Sequence, residues 1–175
     1  GDEKVTRFSV NVPGFKTCEV WWANKSVIVH NKISMVEVIK YVKIKQRFDV
    51  VKMQQEVRRM EEGFWKPHYN EKQYEGGWTT LPLRSINGSV ENSVSIHGAS
   101  LQKNMAYLDT RLLDNCAYIQ SVISFFECEK MSVRLMNLHA GAVIKEHADH
   151  EMSFEEGEAR FHIPILSNPS VNFFI

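Results

Sequence analysis

KEHADHEMSFEEGEARFHIPILSNP runs from Lys145 to Pro169, and its second half decides the fold. In ARFHIPIL, Phe161, Ile163 and Ile165 alternate with Arg160, His162 and Pro164. That is the period-two pattern of a strand with one apolar face. The first half places His147 and Asp149 two residues apart. On extended backbone such a pair points the same way, so one strand can offer both groups to one metal ion. Arg160 and His162 share the other face of their own strand. A guanidinium fork beside an imidazole suits a dicarboxylate, because the fork makes two parallel hydrogen bonds to one carboxylate.

A His-x-Asp pair with one distant histidine is the facial triad of non-haem iron sites, which leaves three positions open for a chelating co-substrate and dioxygen. The pair alone is common. Its competing reading is a solvated polar loop, with His150 an ordinary loop residue. Upstream, VRLMNL sets Arg134 on one strand face with Met136 and Leu138. Arg134 and Trp78 are candidate substrate contacts; a salt bridge for Arg134 and an aromatic core for Trp78 are the alternatives.

The 175 residues suffice for one domain with a real core. The 21 basic and 21 acidic side chains cancel, so the electrostatic footprint of a nucleic-acid binder is missing. No run of about 18 apolar residues suggests a membrane span. GDEKVTRF at the start is charged and does not read as a secretory signal. Cys18, Cys116 and Cys128 are odd in number and widely spaced, unlike a disulfide framework or a CxxC zinc site, which fits a reducing, cytoplasmic setting.

The spacing predicts a helix from the N-cap Asp49 to Gly63, with Val50, Met53, Val57 and Met60 on one face. It predicts another over 109–126, striped by Leu112, Leu113, Cys116, Ile119, Ile123 and Phe126. Segments 5–10, 18–22, 26–30, 36–44, 78–84, 131–138, 141–147, 160–166 and 171–175 read as strands. The expected fold is mainly β, a sandwich or jelly roll with two helices outside. His68 and His97 read as loop residues, and His139 as a turn residue.

The string RLMNLHAGAVIKEHADH…GEARFHIPILSNPSVNFF resembles the aspartyl/asparaginyl β-hydroxylase family, most closely its bacterial proline hydroxylase branch. The family pattern is RLxxLxxGxxIxxHxD, a spacer, then RxHIPIxTNxxVxF. Arg134, Leu135, Leu138, Gly141, Ile144, His147, Asp149, Arg160, His162, Pro164, Asn168, Pro169, Val171 and Phe173 match it, and Ser167 replaces the threonine. GGWTTLPLRS and IKQRFDVVKMQQEV resemble upstream family segments.

The resemblance implies a double-stranded β-helix of the jelly-roll, cupin-like kind, with Fe(II) and 2-oxoglutarate. It implies His147 and Asp149 as metal ligands, and Arg160 and His162 as residues that hold 2-oxoglutarate. The implied activity is hydroxylation of an amino acid, free such as proline, or an Asp/Asn-type residue in a peptide, with dioxygen consumed. A homodimer is compatible with it.

The family's second metal histidine follows a GExWYxN stretch downstream of the His-x-Asp pair. Here the similar stretch is CEVWWANKSVIVHN at 18–31, with Glu19, Trp21, Trp22 and Asn24 in matching places and His30 about one residue late. Residues 1–34 thus resemble the family's C-terminal strands. The order resembles a circular permutation, or segments numbered out of native order, within one domain over 1–175. His30 then becomes the third metal ligand. The family's arginine after that histidine has no clear match, Lys32 being the nearest basic residue. The alternatives are an unrelated extension on a truncated, inactive hydroxylase, a non-catalytic jelly-roll binding protein, and a cupin-like zinc or manganese enzyme.

Overall fold

The computed structural model describes residues 5–12, 43–60, 62–92, 96, 105–147 and 159–172. In chain order its elements are β1 (Val5–Val12), α1 (Val50–Arg58), β2 (Lys66–Pro67), β3 (Tyr74–Glu75), β4 (Trp78–Ile86), β5 (Tyr107–Asp109), α2 (Ala117–Ser124), β6 (Val133–Leu138), β7 (Val143–Ile144) and β8 (Ala159–Leu166). Among the described residues the protein is mainly strands in antiparallel sheets with two helices of more than one turn, and no helix is long and apolar enough to cross a membrane.

The larger sheet has the order β2-β4-β6-β1-β8, with β5 also on β4. β1 lies between β6 and β8 and is antiparallel to both, so the start of the chain is interleaved with the two strands that carry the Arg134 and Arg160/His162 motifs. Cross-strand partners share a face. One face carries Leu81, opposite Leu135, and Ile163, reached through the Phe8 position. All three are buried in one cluster with Met53, Ile119 and Val122 of the helices. The other face carries Pro82, Arg134, the Ser9 position and His162 in one row.

The helices cover the apolar face and brace each other by capping. Asp49 Oδ1 accepts from the backbone N–H of Val51 (3.1 Å) and Lys52 (3.2 Å), closing the start of α1. The start of α2 follows Cys116, which offers no side-chain cap. Glu56 of α1 supplies it from outside, accepting from the N–H groups of Tyr118 and Ile119 at 2.8 Å each. Gln54 Nε2 donates to the Ile165 carbonyl (2.8 Å) and ties α1 to β8. Glu56→Ala leaves two helix-end donors without that acceptor. A loss of about 1–2 kcal/mol is expected, read as a lower urea midpoint at unchanged slope.

Burial, then Glu56, push the Cys116 thiol up to about 11, against a lowering by Arg59, so this cysteine stays a protonated core residue. Arg84 is equally structural: its Nη1 donates to Asp109 Oδ1 (2.6 Å) and its Nε to the Lys130 carbonyl (3.0 Å), pinning β5 to β4.

The smaller sheet continues the β4·β6 ladder around a corner. Beyond the Trp78–Leu138 pair, His139 N–H donates to the Gly77 carbonyl (2.9 Å), and the chains then pair again as Tyr74–Ile144 and Glu75–Val143. The corner is tight. A Cβ on Gly77 would lie 2.5 Å from Nδ1 of His139, and Gly76 has φ +81 with Ala142 Cβ 2.9 Å from where its own would be.

Two expectations need correction. The helix expected over 109–126 is helical only at Ala117–Ser124. Asp109 is the last residue of β5, paired with Arg84, and 110–116 form successive i→i+3 turns. Strand pairing and turn-forming Asp114 and Asn115 outweigh a helical stripe that is otherwise buried as expected. The strand expected over 141–147 pairs only at Val143–Ile144, and 43–44 and 171–172 are not strand. His68 follows β2 as a loop residue, as expected, but it is buried, 7% exposed, with its N–H bonded to the Trp78 carbonyl. Strands expected at 18–22 and 26–30, and His97, lie outside the described residues.

Candidate functional site

Two groups of side chains meet the chemistry expected of a small-acid or metal site. The first is the polar row on the β6–β1–β8 face. Arg134 stands opposite Ser9, and Ser9 opposite His162, so Arg134 and His162 flank β1 on one side of the sheet. Strands lie about 4.8 Å apart, which sets the two backbones roughly 10 Å from each other. Arg160 is two residues along β8, opposite Asn11, and therefore on the same face. Arg134 is 5% exposed, Arg160 is half-buried and His162 is exposed. Exposure thus increases from the sheet interior towards the edge strand.

The second group is the continuation of β7. Lys145 N–H donates to the Gln73 carbonyl (2.8 Å), and Lys145 Nζ is 3.1 Å from Glu75, so β3 supports the chain up to His147. His147 is exposed, and its Nδ1 is 2.7 Å from the Lys145 carbonyl. A carbonyl only accepts, so Nδ1 is the donor in that contact. A histidine held at Nδ1 by a backbone carbonyl is oriented in the way metal-binding histidines are.

Asp149 and His30 lie outside the described residues. Among the described residues no group of three His, Cys, Asp or Glu side chains is gathered as for a metal ion. The expected metal set is represented there by His147 alone.

Trp78 is 4% exposed and belongs to an aromatic cluster at the sheet corner. His68 stacks on it with centroids 3.7 Å apart and planes 6° from parallel, and Tyr74 meets both rings edge-on. A shallow depression of about 430 Å³ runs past Trp78, Tyr74 and Glu71. His139 sits at the β6–β7 turn, 3.4 Å by Nε2 from Thr79 Oγ1, where its ring fills the space beside Gly77. His139 is a turn residue as expected.

No family model matches this chain, and neither does any curated protein or solved structure. The case for a function rests on the residues themselves. His68 is the member of the site region that sequence reading missed. The signal present in the sequence is the aromatic density of the stretch, with Tyr69, Tyr74 and Trp78 close to His68.

Proposed function

We propose that this chain is an Fe(II)- and 2-oxoglutarate-dependent hydroxylase acting on an amino acid, free or within a peptide, of the aspartyl/asparaginyl β-hydroxylase type. The observation that carries the reading is the shared face of Arg134, His162 and Arg160 across an N-terminal strand. Three basic groups on one sheet face suit a dianionic co-substrate, and both ends of the chain contribute strands to that sheet. The same interleaving is what a permuted segment order requires, and it supports His30 as a ligand delivered from the N-terminal region. A sheet that turns a corner into a second sheet through glycines is also a building feature of closed β-architectures, and the double-stranded β-helix is the form proposed here.

In this reading His147 offers Nε2 to the metal, with Asp149 and His30 completing the set. Its orientation by the Lys145 carbonyl fits that role. Arg160 takes one carboxylate of 2-oxoglutarate by its fork, with His162 orienting the same molecule. Arg134, buried and so held in a low-dielectric setting, offers a charge to the substrate carboxylate, and Trp78 forms an apolar wall. Iron, 2-oxoglutarate and dioxygen together supply the oxidising equivalent for hydroxylating an unactivated carbon. The chain's own work is to orient the acid groups, leave coordination positions open and keep water from the reacting carbon. The setting proposed is cytoplasmic, with small-molecule or peptide partners, a possible homodimer, and neither nucleic acid nor membrane.

The test is an anaerobic Fe(II) titration with 2-oxoglutarate, watching for the weak visible charge-transfer band of the chelate, followed by succinate release with a panel of amino acids. The band is expected in the wild type. Arg160→Met is expected to weaken 2-oxoglutarate by about 30-fold or more, the counterpart of about 2 kcal/mol for a carboxylate that loses its charged partner. No band at any 2-oxoglutarate concentration sinks the reading. A metal that binds without dependence on 2-oxoglutarate favours the zinc or manganese enzyme instead.

A further inference from the structure

The depression at the sheet corner is lined by Glu71 and Tyr74, with Pro67, Trp78 and Thr79 beside them. Among the described residues that line it, Glu71 alone is charged. Glu71 is exposed, at the head of the single turn Glu71–Gln73 that precedes β3, and it makes no ion pair among the described residues. Tyr74 is half-buried and held from two sides. Its ring meets Trp78 edge-on, with centroids 5.6 Å apart and planes at 89°, and its hydroxyl donates to the His68 carbonyl (3.4 Å). Burial, then Glu71, push the Tyr74 phenol up, so the ring stays neutral and the carboxylate is near enough for its charge to be felt there.

A carboxylate next to an anchored, neutral phenol suits a cation on an apolar stem: the acid supplies the opposite charge, and the ring offers its negative face. A second depression, of about 530 Å³, shares Glu71 with the first but is also lined by Lys72, which answers the charge on that side. Lys145 is close by, yet its Nζ is 3.1 Å from Glu75 and so is neutralised locally. The cation therefore belongs in the Tyr74 recess. That recess also has a fixed place relative to His147. β3 and β7 are antiparallel, with Tyr74 opposite Ile144, and the Lys145 N–H donates to the Gln73 carbonyl. Glu71 and His147 each lie two residues beyond that bond, at the same end of the ladder and on the order of 10 Å apart.

We propose that the recess beside Glu71 and Tyr74 takes the basic side chain, arginine or lysine, of a peptide substrate, about three residues from the one to be hydroxylated, since each extended residue spans roughly 3.3–3.6 Å. A free amino acid is too short to reach from the metal to Glu71, so the recess selects a peptide. The assignment to a substrate rests on the function proposed above; the recess as a cation site does not.

The first measurement is NMR of the metal-free full chain titrated with N-acetyl-arginine amide, and with N-acetyl-norleucine amide as the uncharged probe. The amide signals of Glu71, Tyr74 and Gly77 are expected to shift saturably with the arginine probe and not with the norleucine probe. Glu71→Gln is expected to weaken the arginine probe about 5- to 10-fold, the joint size of a cation–π contact and an exposed ion pair. Glu71→Lys is expected to bind N-acetyl-glutamate amide instead, a reversal that a merely structural role does not produce. Arginine shifts that are absent in the wild type, matched by norleucine, or unchanged in Glu71→Gln overturn the cation site. The second measurement is succinate release by the iron-loaded chain with paired peptides, which carry either arginine or glutamine about three positions to each side of an Asp, Asn or Pro residue. The arginine peptides are expected to have a KM lower by about 5- to 10-fold, and in Glu71→Gln that advantage is expected to fall below about twofold. No succinate from any peptide or amino acid, with the NMR shifts intact, removes the enzyme and leaves the cation site. Release that ignores the arginine, or that occurs with free amino acids alone, overturns the assignment to a peptide substrate.

Discussion

Leu135→Ala is expected to cost about 3–5 kcal/mol of folding stability, the upper part of the range for a buried leucine. Leu135 is fully buried at the centre of β6. It stands opposite Leu81 on one side and the Phe8 position on the other, and it joins the cluster that includes Met53, Leu83, Ile119 and Val122. Backbone hydrogen bonds to β4 and β1 hold the sheet on both sides, so the space left by three carbons cannot close by a strand shift. The measurement is urea unfolding, where the midpoint falls and the slope holds. In a thermal scan the same loss lowers Tm by roughly 6–20 °C for a chain of this size. Leu108→Ala is the control, because Leu108 is exposed on β5 and its loss should stay within about 0.5 kcal/mol. A Leu135→Ala cost below about 1 kcal/mol contradicts the register of β6 described here.

What the sequence reveals in this chain follows the range of the forces involved. β8 is legible because it alternates apolar and polar residues, β4 and β6 because they are runs of strand-forming residues long enough to stand out, and Asp49 because a cap is a local event. β2, β3 and β5 are two or three residues long, too short to carry a period; β2 and β5 pair with the longer β4, and β3 with the equally short β7. The insertion of β1 between β6 and β8 joins residues more than a hundred positions apart, which no local pattern encodes. The candidate site divides the same way. That Arg160 and His162 share a face is read from their spacing; that Arg134 sits two strands away on that face needs the register. His68 is in a loop as its polar neighbours suggest, but its burial depends on Trp78 across a sheet edge, which those neighbours do not reveal. Asp149 and His30 lie outside the described residues, and their convergence with His147 remains part of the proposal.

His147→Ala is expected to separate folding from metal binding. His147 is exposed beyond the last pair of β7. Its removal should therefore change stability by no more than about 0.5 kcal/mol, as at most surface positions. Metal affinity should behave differently. Residues that only orient a ligand cost 10- to 100-fold when changed, so loss of a ligand itself is expected to weaken Fe(II) by more than about 100-fold. The 2-oxoglutarate chelate band should disappear with it, and succinate release should stop. His139→Gln tests whether the effect is specific to His147: His139 sits at the β6–β7 turn, packed beside Gly77, and its change should leave the band in place. The comparison is made by anaerobic titration at a pH where both variants are folded. An undiminished band in His147→Ala means the metal sits elsewhere, and the Nδ1 contact would then serve to fold the end of β7 back on Lys145.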